Sequence, residues 1–164
     1  MAQIGSRTVD AFIHILKSDG GLALGLANVS QSANIELPAL GDRQVKAQNI
    51  AFELEEKTIG AQYPSYHIYC EKLSNTLKEK FRVFSGTARM VTEVRVSQDR
   101  LDLIETQLHN YVDGVIEVLD ANRGDWGGGM FYSGGYEVAY QPVKHGGKNF
   151  LQTAKVTFEV NMSV

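Results

Sequence analysis

The sequence predicts an α+β fold: a mostly antiparallel sheet with two helices packed on one face, plus an extended arm and a hairpin. Three observations carry that expectation. Phe150, Ala154, Val156, Phe158, Val160, Met162 and Val164 alternate with Thr153, Lys155, Thr157, Glu159, Asn161 and Ser163, the period of a long half-buried strand. Ala88, Met90, Val94 and Val96 repeat the pattern over residues 87–96. Between these strands, Leu101, Ile104, Leu108, Tyr111, Val112, Val115, Val118 and Leu119 form one broad apolar stripe at helical spacing, the face a helix presents to a sheet. A chain of 164 residues suits one domain spanning 1–164.

Taken in order, Val9, Phe12, Ile13 and Leu16 recur at helical spacing behind Ser6, with Gly20 and Gly21 as the stop, so a short helix is expected over roughly residues 7 to 18. Residues 21–48 mix Leu22, Leu24 and Leu26 with glycine, asparagine, serine and a proline. No period is sustained there, and the segment reads as an irregular arm with a short strand at its apolar start. Ile50, Phe52 and Leu54 alternate with Ala51, Glu53 and Glu55, and Tyr66, Ile68 and Cys70 alternate with His67, Tyr69 and Glu71. Two strands are expected, the second entered after Pro64. Residues 73–84 are polar and uneven, a loop with a helical turn.

Ser97 stands as N-cap of the principal helix, which residues 122–124 close. Leu103, Asn110 and Gly114 lie on a third line of that helix. A glycine in mid-helix costs roughly 1 kcal/mol relative to alanine, so another element or another subunit is expected to come close there. Residues 122–135 form a loop dense in glycine that carries Trp126, Met130, Phe131 and Tyr132. A hairpin through Pro142 to Lys148 then leads into the terminal strand.

Composition narrows the function. A formal charge of −3 does not suit a protein that binds by neutralising phosphates. The single cysteine, Cys70, excludes an intrachain disulfide and a cysteine zinc site, and fits a reducing cytosol. No segment has the roughly 20 apolar residues of a membrane span, and the first residues lack a signal-peptide pattern. No phosphate loop, zincin helix or nucleophile elbow occurs. His67 and Cys70 fall on opposite faces of a strand, and His14, His109 and His145 are scattered. No catalytic residue, cofactor or metal is therefore expected.

Large apolar side chains in a glycine-rich loop suit an interface, because Trp, Tyr, Phe and Met are enriched in interface cores, or they cap one end of the sheet. Trp126, Met130, Phe131 and Tyr132 are accordingly interface candidates. Leu103 and Gly114 on the helix join them, with Lys144, His145 and Lys148 in the hairpin turn, which could meet an acidic neighbour.

The succession of an N-terminal helix, the strand entered through Tyr63-Pro64-Ser65-Tyr66-His67-Ile68-Tyr69, the strand 87–96 feeding a long helix, and the closing strand Ala154-Lys155-Val156-Thr157-Phe158-Glu159-Val160 resembles the tail terminator and tail completion proteins of long-tailed bacteriophages. The resemblance covers about two thirds of the chain in size, element order and strand character. It implies a sheet with helices on one face and a non-enzymatic homo-oligomeric ring, hexameric in that family. Such a ring caps the tail tube protein, meets the head-tail connector or stopper on its other face, and lets genome DNA pass through its lumen without specific binding. It implies no membrane partner, a place in the tail or neck of the virion, and assembly in the host cytoplasm. A head completion or neck connector protein, stopper or adaptor, is the neighbouring alternative. Two other classes remain: a small hydrolase using His67, His145 and a scattered acid, and a module for acidic peptide or nucleic acid using Arg89, Arg95, Lys144 and Lys148.

Overall fold

A computed structural model describes residues 3–57 and 60–164. Four helices, α1 (Ile4–Lys17), α2 (Leu22–Ala33), α3 (Phe52–Glu56) and α4 (Leu101–Ala121), accompany eight strands. The strands are β1 (Val45–Ala47), β2 (Ser65–Asn75), β3 (Ser85–Gln98), β4 (Gly124–Gly127), β5 (Met130–Tyr132), β6 (Tyr136–Tyr140), β7 (Lys144–Gly146) and β8 (Asn149–Ser163). They form one open, curled half-barrel in the order β1-β2-β3-β8-β5-β4, with β6 and β7 also paired to β8.

The frame is the long ladder between β3 and β8, which runs antiparallel without a break from Ser85 opposite Ser163 to Gln98 opposite Phe150. Its alternation puts Ala88, Met90, Val94 and Val96 with Ala154, Val156, Phe158, Val160 and Met162 on the face that carries α1 and α4, all of them buried. On the far edge of β8 three short strands follow one another, β7 at residues 149–151, β6 at 154–158 and β5 at 161–162. On the other side β2 pairs antiparallel with β3, and β1 adds to β2 as the one parallel neighbour among the described strands.

The expectation of two helices on one face with an extended arm is corrected here: among the described residues there are four helices, and they do not share one layer. Residues 22–33 of the supposed arm are helix α2, not a strand. Leu22, Gly25, Leu26 and Val29 are buried while Leu24 is half exposed, so the buried set follows helical spacing and cuts across the Leu22-Leu24-Leu26 alternation. The alternation at Ile50, Phe52 and Leu54 likewise makes no strand: Phe52 and Leu54 belong to a short helix, α3, which seats Glu55 against the sheet face opposite α1 and α4. Ser97 is the penultimate residue of β3, and α4 starts at Leu101 with no side-chain cap at Arg100. The loop 122–135 contains the β4–β5 hairpin.

Gly114 receives the neighbour its position requires, and that neighbour is α2. A β-carbon on Gly114 would sit 2.5 Å from Cδ2 of Leu26, and one on Gly25 would sit 2.6 Å from the Gly114 carbonyl oxygen. The two glycines let the helices cross at backbone distance. Gly25→Leu is expected to force them apart and lower stability by about 1–3 kcal/mol, measured as a urea midpoint; an unchanged midpoint would contradict the close crossing.

Candidate assembly surfaces

The polar cluster with the strongest chemical look is buried. Alternation in β2 and β3 turns Ser65, His67, Glu93 and Arg95 to the face opposite Tyr66 and Val94, and α3 closes over them. Glu55 accepts a hydrogen bond from Ser65 Oγ at 3.0 Å, pairs with His67 Nε2, and lies 3.5 Å from Arg95. Arg95 also pairs with Glu93 at 3.1 Å and donates to the Ile50 carbonyl. Burial by itself raises the Glu55 carboxyl, but the His67 hydrogen bond and charge, Arg95 and the Ser65 hydroxyl together hold it below its ordinary 4.5.

A serine, a histidine and an acid are thus in contact, but not in the order of a Ser–His–acid relay. The serine gives its hydrogen bond to the carboxylate, a weak base because His67 and Arg95 hold it ionised, and the serine is fully buried. Arg95 is 1% exposed and unavailable to a nucleic acid, whereas Arg89 is exposed and pairs with Glu71 at 3.1 Å. His145 of β7 meets Phe150 of β8 at a tilt, with ring centroids 5.7 Å apart. Among the described residues no group of three or more His, Cys, Asp or Glu could hold a metal ion.

The aromatic hairpin divides in two. Trp126 stacks on Phe12 of α1, with ring centroids 5.7 Å apart and planes 8° apart, and its Nε1 donates to the Asn122 carbonyl at 2.7 Å. Tyr132 and Met130 are buried, and Tyr132 meets Phe158 edge-on at 5.5 Å. These three cap the core at the far end of β8. Phe131, on the other side of the same strand, is 49% exposed. Leu103 is exposed on α4, and Lys144, His145 and Lys148 face solvent, with the Lys144 ammonium over the Phe52 ring at 4.8 Å.

Two surfaces escaped the sequence reading. The first is the tip of the β2–β3 hairpin, where Leu77, Val83 and the fully exposed Phe81 project among Lys78, Lys80 and Arg82. Leu77 and Phe81 have φ of 46° and 67°, a left-handed backbone that bulky residues rarely adopt. The tip is nevertheless tied down: Thr76 and Leu77 N–H donate to the Ser85 carbonyl, and Val83 and Phe84 N–H donate to the Val164 carbonyl, at 2.7–3.0 Å. The second is a groove of about 630 Å³ between the first half of α4 and residues 35–40, lined by Ile35, Leu37, Pro38, Leu40 and Leu103 together with Glu36 and several amide side chains, among them Gln98, Gln107 and Asn110. Exposed apolar groups on a polar stretch signalled the tip, but the helical-turn reading of 73–84 hid it. The groove had no local signal, because its walls, residues 35–40 and 98–111, are far apart in the chain.

A scan against protein-family models finds no match to this chain, and a search of the curated proteins finds none either.

Trp126→Ala is expected to lower stability by about 3 kcal/mol through loss of the Phe12 stack and the core cap, read from the urea midpoint by circular dichroism. A midpoint within error of wild type would mean that the ring contributes nothing to the core. Glu55→Gln strips the charge that His67 and Arg95 surround and should cost a similar amount, about 3 kcal/mol, at pH 7. Because the folded carboxyl lies below 4.5, its contribution is present above that pH and lost as pH falls through the lowered value. The gap between wild type and variant should therefore narrow from pH 7 to pH 3, and a gap that widens would contradict the assignment.

Proposed function

We propose that this chain is a structural subunit of a phage tail or neck, a tail terminator that forms a homo-oligomeric ring, caps the tail tube and joins it to the head-side connector. The observation that carries the reading is the pairing of a tied-down, apolar, basic hairpin tip with a half-apolar groove bearing one acid, Glu36, on one small domain. A ring subunit needs two unlike patches that meet head to tail and close. The element succession from the N-terminal helix to the closing strand, with its resemblance to tail terminators, supplies the context.

In this reading the protein is non-enzymatic and its partners are copies of itself, the tail tube protein and the connector or stopper. It is assembled in the host cytoplasm, resides in the virion, and lets genome DNA pass without specific contacts. The closed Glu55–His67–Arg95 cluster holds α3 on the sheet and takes no part in a reaction. Multi-angle light scattering on the purified chain at micromolar concentration, alone and with tail tube protein, tests the reading. A discrete oligomer that binds tube is expected; a strict monomer that ignores the tube would overturn it, and an oligomer that binds the portal complex in place of tube would reassign it to the neck connectors.

A further inference from the structure

Resting on the ring reading, we infer that the contact closing it inserts the β2–β3 hairpin tip of one copy, led by Phe81, into the groove between α4 and residues 35–40 of the next copy. Phe81 leaves its whole side chain in water, with Leu77 and Val83 beside it. The hydrogen bonds at the loop's base hold that exposed arrangement in place. A left-handed backbone at two bulky residues, kept by the surrounding structure, is the kind of local strain that accompanies a binding function.

The groove offers the complementary chemistry. Ile35 and Leu103 are 38% and 44% exposed on its two walls, and its volume of about 630 Å³ exceeds what one aromatic side chain fills. Charge agrees as well. The tip carries Lys78 and Lys80 beside an Arg82 that pairs with Glu79 at 3.4 Å. Among the described residues, Glu36 is the one charged residue that lines the groove, and no lysine or arginine lines it. Apolar insertion beside a matched pair of opposite charges, Glu36 with Lys78 or Lys80, is the arrangement that gives an interface both affinity and register.

The tip cannot fill the groove of its own copy. The tip lies at the Ser85 end of β3, whereas the groove includes Gln98 and Leu103 just beyond the opposite end. At about 3.3 Å per residue the strand sets them on the order of 40 Å apart, so the hairpin cannot fold back into its own groove. Unlike patches at opposite ends of one subunit produce a heterologous contact, which closes into a ring when the rotation between copies allows it.

Charge reversal tests the contact with variants that control for one another. Lys78→Glu with Lys80→Glu makes a subunit whose tip and groove are both acidic; Glu36→Lys with Gln107→Lys, both on the groove lining, makes one whose tip and groove are both basic. Each alone should need at least about tenfold higher concentration to assemble than wild type, as should Phe81→Glu. Mixed in equal amounts, the two charge variants should co-assemble, with the subunits alternating, which native mass spectrometry reads directly. Circular dichroism checks that every variant is folded.

The inference is overturned if the acidic-tip variant assembles like wild type, or if the mixture assembles no better than its components. It is also overturned if Phe81→Glu keeps the oligomer and loses only tube binding, since the tip would then belong to the tube contact. In these outcomes the ring reading itself survives. A wild-type chain that is monomeric and ignores the tube would sink the ring reading and this contact together.

Discussion

The uninterrupted ladder between β3 and β8 is the constraint from which the rest of the structure follows. Fourteen paired positions hold both strands in one register, and a slip of β8 by one residue would turn Val156, Phe158 and Val160 out of the core. Because β8 is so long, three separate short strands can pair along its outer edge, and the sheet curls around α1 and α4 without needing further long strands. The far end of this ladder is where Val164 takes hydrogen bonds from Val83 and Phe84, so the same pairing that builds the core fixes the base of the hairpin tip.

Helix packing is organised by a second constraint, the crossing of α2 over α4. Gly25 and Gly114 meet where any side chain would collide with backbone or with Leu26, and α2 thereby covers the second half of α4's flank. The first half of that flank, at Leu103, is left to residues 35–40, and the groove is the space between them. The groove thus follows from the point at which α2 ends, at Ala33.

Much of the fold was legible in the sequence where one side chain in two, or one stripe in seven, goes into the core. The terminal strand, the strand around Met90, the helix from Leu101 and the first helix carry those periods plainly, and the structure places them within a few residues. The α2 segment was not legible because its glycine and two serines have low helix propensity and its three leucines also fit a strand. The α3 segment was hidden by chemistry: Glu55 goes inside as the partner of His67 and Arg95, and a buried carboxylate cannot be recognised by hydropathy. Trp126 shows the converse difficulty, since an aromatic in a glycine-rich segment gives no sign of whether it faces a partner or, as here, a phenylalanine of the first helix. The groove depends on residues near 37 and near 103 coming together, which only the tertiary structure specifies.

Electron cryomicroscopy of the purified assembly addresses the central claim most directly, because it locates the hairpin tip relative to neighbouring copies. The expected reconstruction is a closed ring in which Phe81 of each subunit lies against Leu103 of the next. Isolated monomers, or rings whose hairpin tips remain in solvent, would contradict it.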